Sequence, residues 1–142
     1  MKNKLIVAGV IFTCLVLLVG CGDEKWNPLD VEIVDHETGC LALEEESITT
    51  LWEGEDIVAT TIFSTSVPCY QIRSISAREK EDKIEVKIKL EREAGACIEC
   101  IGFQKITFRI KNPRLYPEIN LELQVEVDGQ VLIQTIIEQP AT

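Results

Sequence analysis

One histidine, one methionine and a 6% share of aromatic side chains are spread through 142 residues. A single imidazole, His36, excludes a histidine-rich metal centre, which needs companion ligands at coordination spacing. It also confines any Ser-His-Asp arrangement to that residue, and no Gly-x-Ser-x-Gly turn occurs. The phosphate-binding loop, the dinucleotide fingerprint and the EF-hand loop are absent too. Basic residues are scarce: 14 Lys and Arg stand against 24 Asp and Glu, a net charge of −10. So acidic a chain has no basic face for phosphates, which excludes nucleic acid as a partner. No apolar run reaches the ~20 residues of a membrane-spanning helix. A glycosidase would need two carboxylates placed across a cleft, and among 24 acids no pair stands out. The expectation is therefore no catalytic residue, no resident metal and no cofactor. A chain of 142 residues holds one domain and a short appendage. Its 46% hydrophobic content is that of a folded protein rather than a disordered one.

What is present begins at the N-terminus. Lys2 and Lys4 precede an uncharged, mostly apolar run from Leu5 to Val19. That run fits the apolar core of a secretory signal. It ends in Leu18-Val19-Gly20-Cys21, which resembles the lipobox of prokaryotic lipoproteins. The resemblance implies cleavage before Cys21 and a diacylglycerol on its thiol. Residues 1–20 are then a lipoprotein signal peptide, and Cys14 leaves with it. Lysines ahead of the apolar run keep the N-terminus cytoplasmic, so the rest is exported. Two acyl chains suffice for stable anchoring. The expected location is the cell membrane, with the lipid on Cys21 as anchor and the protein on the extracytoplasmic side. Residues 21–29 read as a polar, proline-containing tether. Within it, Trp26 either packs on the domain or sits at the membrane interface.

From Val31 onward apolar and polar residues alternate with period two, the pattern of half-buried strands. Ile84, Val86, Ile88 and Leu90 alternate with Glu85, Lys87, Lys89 and Glu91. Ile119, Leu121, Leu123, Val125 and Val127 alternate with Asn120, Glu122, Gln124, Glu126 and Asp128. Asp128-Gly129 then signals a hairpin into a strand from Val131 to Glu138. Glu53-Gly54-Glu55-Asp56 joins strands at Ser47 to Trp52 and Ile57 to Phe63. Lys80-Glu81-Asp82 is a turn. The apolar phase slips between Ile72 and Ile75, and again between Phe103 and Ile106, and each slip predicts a bulge. The Lys and Glu of Lys83 to Glu93 predict a wet face with cross-strand pairs, each worth little, that also guards a sheet edge. Asn112-Pro113 and Tyr116-Pro117 interrupt the ladder. Leu41 to Glu46 alone has helix formers enough for one turn. About seven to eight strands predict an all-β fold over 30–142, an immunoglobulin-like antiparallel β-sandwich. His36, between two acids and near Gly39, reads as an exposed turn residue. Glu44-Glu45-Glu46 reads as a solvated face, with a weak Ca²⁺ site or docking patch as the alternative.

After Cys21 four cysteines are left: Cys40, Cys69, Cys97 and Cys100. An even number in an exported domain points to two disulfides. Residues three apart in an extended strand face opposite ways, which favours separate partners for Cys97 and Cys100. Cys40 and Cys69 are then their partners, in either combination. A four-thiolate zinc site competes, but the sequence has one Cys-x-x-Cys where the strong signature has two. A redox pair competes as well, but such motifs open a helix. Cys97-Ile98-Glu99-Cys100 runs into strand-like residues, and Glu99 would raise a thiol pKa.

Val67-Pro68-Cys69-Tyr70, an alternating hairpin and then Cys97-Ile98-Glu99-Cys100 follow in order. This series resembles that of small prokaryotic, often archaeal, exported lipoproteins of uncharacterised function, which carry a Pro-Cys-aromatic strand start and a later Cys-x-x-Cys. The resemblance covers about Ser47 to Val127 and implies the sandwich and the compartment, with no activity. The functional expectation is a non-catalytic surface module whose loops meet a protein or polymer partner. Two alternatives stand beside it. One is thiol or metal chemistry at Cys97 and Cys100. The other is a protease inhibitor using the loop from Ser64 to Cys69, where a neighbouring disulfide would pre-organise the backbone.

Overall fold

A computed structural model describes residues 25–40, 45–114 and 120–138. Residues 1–20, Cys21 and Leu41 to Glu44 lie outside the described residues, and with them the signal peptide, the lipidation site and most of the expected helical turn. Among the described residues nine strands form: β1 (Asn27–Leu29), β2 (Val31–Cys40), β3 (Ser47–Glu53), β4 (Asp56–Thr65), β5 (Tyr70–Lys80), β6 (Lys83–Arg92), β7 (Gly102–Ile110), β8 (Asn120–Val127) and β9 (Gln130–Glu138). Residues 27–29, expected in the tether, are the first strand and pair with Ala77, Arg78 and Glu79 of β5.

The strands make a two-layer β-sandwich. One sheet has the order β1-β5-β6-β8-β9 and the other β2-β7-β4-β3. Alternation dictates the layering. In β6 and β8 the inward set is Ile84, Val86, Ile88, Leu90, Leu121, Leu123 and Val125, all almost wholly buried. Facing them from the second sheet are Ile57, Ala59 and Phe63 of β4 and Ile106, Phe108 and Ile110 of β7. Every second residue of a strand faces the opposite layer, so one alternating sequence builds a dry face and a wet one.

All described pairings are antiparallel except one: β6 and β8 run parallel, with Ile84 beside Leu121 and Leu90 beside Val127. A hairpin cannot join parallel neighbours. The chain therefore leaves β6, crosses to the second sheet as β7, and returns alongside β6. This puts β6 in the middle of its sheet rather than at an edge. Its outward Lys and Glu make the expected cross-strand pairs, Lys83 with Glu122, Lys89 with Glu126 at 3.9 Å, and Arg78 of β5 with Glu85 at 2.8 Å, but guard no edge.

The bulge expected in β5 falls between Ile72 and Ser74. The one expected in β7 does not occur. Gly102, Gln104, Ile106, Phe108 and Ile110 face inward without interruption, and Phe103 lies on the outer face. A buried glutamine occupies the inward phase, so counting apolar residues alone suggested a slip. An unanticipated bulge in β2 turns Val34 outward, 51% exposed. The Asp128-Gly129 hairpin is as expected: both residues have positive φ, 48° and 80°, as a type I′ turn requires.

Two outcomes are expected. Phe108→Ala, at the fully buried centre, should cost ~3–5 kcal/mol in urea unfolding. Glu122 behaves differently. Lys83 and the Gln134 amide donate hydrogen bonds to it and hold its carboxyl below the ordinary range. A carboxyl lowered in the folded state stabilises above its unfolded pKa, and the effect fades as pH falls through the folded value. Glu122→Gln should therefore cost up to ~1 kcal/mol at neutral pH and nothing in strong acid, as urea unfolding at the two pH values will show.

Candidate functional site

The described residues concentrate their unusual chemistry at one end of the sandwich. There β2, β4, β6 and β8 finish and β5, β7 and β9 begin. Gly102 opens β7 under the β4–β5 loop, and the approach is closer than any side chain allows. A Cβ on Gly102 would lie 2.4 Å from the Val67 carbonyl carbon and 2.5 Å from the Pro68 nitrogen. Glycine is required here for space, not for a special φ.

Hydrogen bonds hold the crossing loop from below. Thr65 Oγ1 donates to the Val67 carbonyl at 2.7 Å. The Pro68 carbonyl accepts from the Tyr70 N–H at 2.9 Å and from Gln104 Nε2 at 3.2 Å. Gln104 is fully buried, and its amide orientation follows from this contact, because a carbonyl can only accept. Its Oε1 is left facing His36 Nε2 at 2.8 Å, so His36 is the donor. His36 is thus a half-buried, inward-facing residue of β2 rather than the exposed turn residue its sequence suggested. The reason is the β2 bulge, which resets the inward phase from Ile33 to His36.

Two disulfides close this end. Cys40 joins Cys100 with Cα atoms 5.8 Å apart, and Cys69 joins Cys97 at 5.9 Å. The cysteines take separate partners, and the combination left open by the sequence is resolved. Cys40 lies in register with Gly102, two residues beyond Cys100. Cys69 follows Pro68 and accepts the Glu93 N–H through its carbonyl at 2.9 Å. Both bridges thus tie down the β6–β7 connection. Between them Ile98 is 69% exposed, and just beyond them Ile101 is 63% exposed. Ala94, Gly95, Ala96 and Glu99 of the same loop are exposed as well. A small cleft of ≈ 320 Å³ lies beside the crossing, between Ser66, Tyr70, Asp128 and Leu132. Tyr70 donates its hydroxyl to Asp128 Oδ2 at 3.1 Å.

The loop from Ser64 to Cys69 is not a projecting segment. Thr65 and Pro68 are buried and Val67 packs on the core, which leaves Ser66 as its exposed residue. Glu44 of the acidic run lies outside the described residues, and Glu46 accepts the Ser64 N–H at 3.3 Å. Among the described residues no three His, Cys, Asp or Glu are disposed to hold a metal ion. Trp26 packs on the domain, under the Arg78 guanidinium at 4.4 Å. Compared with known proteins, the chain matches no family model, no curated protein and no solved structure.

Sequence reading found the cysteines and missed Gly102 and Gln104. Gln104 had a signal: it is the polar residue that completes the phase shared by Ile106, Phe108 and Ile110. Gly102 had none, because the crossing segment is far away in sequence. Gly102→Ala should force the loop off β7 and cost ~1–3 kcal/mol, measured by thermal or urea unfolding with both disulfides intact.

Proposed function

We propose that this chain is a non-catalytic, lipid-anchored module on the extracytoplasmic side of the cell membrane. In this reading it presents the disulfide-braced end of its sandwich to a protein or polymer partner. One observation carries the reading. β1 begins at Asn27, beside Glu79, and Trp26 lies under Arg78 and Lys80, at the end opposite the two disulfides. β5, with eleven residues, runs from one end to the other, a span of ~33 Å. A lipid on Cys21, a few residues before Lys25, would hold the near end at the membrane and point the braced end away from it. The resemblance to small prokaryotic lipoproteins points the same way.

The contact residues in this reading are Ile98 and Ile101. Exposed isoleucines on a loop clamped at both sides suit binding, because little conformational entropy is left to lose. The cysteines of the loop are committed to different partners, which favours a scaffold over a redox pair. The single imidazole is engaged with Gln104, which favours structure over proton transfer.

Three measurements test the proposal. Cys21→Ala should move the protein from the membrane fraction to the soluble extracytoplasmic fraction. Retention in the membrane would contradict the anchor. A photo-crosslinking residue at position 98 or 101 should capture a partner on intact cells, while one at Lys87 on the outer sheet face should not. Equal capture from Lys87, or none from the loop, would contradict the presented end. Ile98→Asp should weaken the captured interaction by about tenfold or more, the loss expected for a buried apolar anchor.

A further inference from the structure

Four strands end the two sheets, and the two sides of the sandwich treat their edges differently. On one side β1 has three residues, one of them Pro28. Its companion edge β2 carries Glu32, Asp35, Glu37 and a bulge at Val34. Short length, proline, charge and bulges are the devices that stop edge strands from pairing with other chains. On the other side those devices are nearly absent. β9 has no charge and no proline from Gln130 to Ile137, and its one irregularity lies at its start, beside Leu132. Val131, Leu132 and Ile136 are 52%, 50% and 62% exposed. Neighbouring β3 is uncharged from Ser47 to Trp52. Between β3 and β9 the layers part in a groove of ≈ 520 Å³ lined by Ile48, Thr61, Ile133, Thr135 and Ile137, with Glu46 as its one charged lining residue. Thr61 is fully buried, and its hydroxyl has no hydrogen-bond partner.

We infer that β9 is a self-association edge, at which a second copy of this chain adds its own β9 antiparallel and makes one continuous sheet. Charge selects the occupant. The chain carries a net −10, so two copies repel each other on average. A two-fold interface brings a patch against itself and therefore needs a patch that does not repel itself. The uncharged edge from Gln130 to Ile137 meets that condition. Size agrees: a strand ~30 Å long on a two-layer edge ~20 Å thick buries ~1,200 Å² over both copies, the lower end of specific interfaces. Among the described residues β8 alone pairs with β9, so the outward N–H and C=O groups of β9 supply the hydrogen bonds, as in strand addition generally. Paired strands run in opposite directions, so the two braced ends point apart. With a tether at each N-terminus such a pair joins chains anchored on facing surfaces, and this last step alone rests on the proposed anchoring.

The test uses the chain from Gly22 onward, since the buried core and both disulfides lie within residues 25–138. Sedimentation velocity from micromolar to several hundred micromolar should show a reversible shift to twice the monomer mass. Thr135→Lys puts an ammonium on the inward side of the edge, and Ile136→Lys puts one on its exposed side. Each should weaken association by about tenfold or more. Glu37→Lys, on the guarded edge, should leave association unchanged. Circular dichroism identifies any variant that fails to fold, and exposed Ile136 then carries the test. A monomer over the whole range, or a dimer that survives the β9 substitutions in folded protein, overturns the inference. Equal weakening by Glu37→Lys overturns it too.

Discussion

The crossing of the β4–β5 loop over Gly102 is the constraint from which the braced end of the molecule follows. Backbone lies directly against backbone there, within a distance no side chain tolerates. That contact brings Cys69 to the Cys97 side of the β6–β7 connection, while the register of β2 on β7 brings Cys40 to Cys100. Gln104 secures the arrangement from inside, satisfying the Pro68 carbonyl and accepting from His36. A buried amide with both ends engaged fixes a unique geometry where a leucine would only fill space.

The fold was legible because most strands have one wet face. Ile84 to Leu90 and Leu121 to Val127 alternate cleanly, and such alternation specifies a half-buried strand with little ambiguity. It does not specify neighbours. Nothing in β6 or β8 distinguishes a parallel partner from an antiparallel one, so the crossover through β7 was not read from the sequence. Lys83 to Glu93 accordingly read as an edge, although β6 is central. Phase errors had a different origin. Polar residues that face inward, Gln104 above all, break the apolar count without breaking the strand.

At the candidate site the sequence yielded the cysteines and their separate partners, although the strand expected there is absent: Cys97 and Cys100 lie in the irregular β6–β7 connection. It could not yield the pairing, the fixed glycine or the orientation of His36, which depend on segments far apart in the chain. The two sides of the sandwich add a second asymmetry. Proline, acids and a bulge protect one side, while an uncharged strand and an open groove form the other. A domain that needed only to stand alone would gain from guarding both.

Both disulfides are closed scaffold, with Cys97 and Cys100 bound to different partners. The most direct measurement is a peptide map of the protein, alkylated without reduction and read by mass spectrometry. The account predicts no alkylated thiol after Cys21, one linked pair joining Cys40 to Cys100, and another joining Cys69 to Cys97. Alkylated Cys97 and Cys100, or a ring closed between those two, would contradict it and make the Cys-x-x-Cys a reactive site.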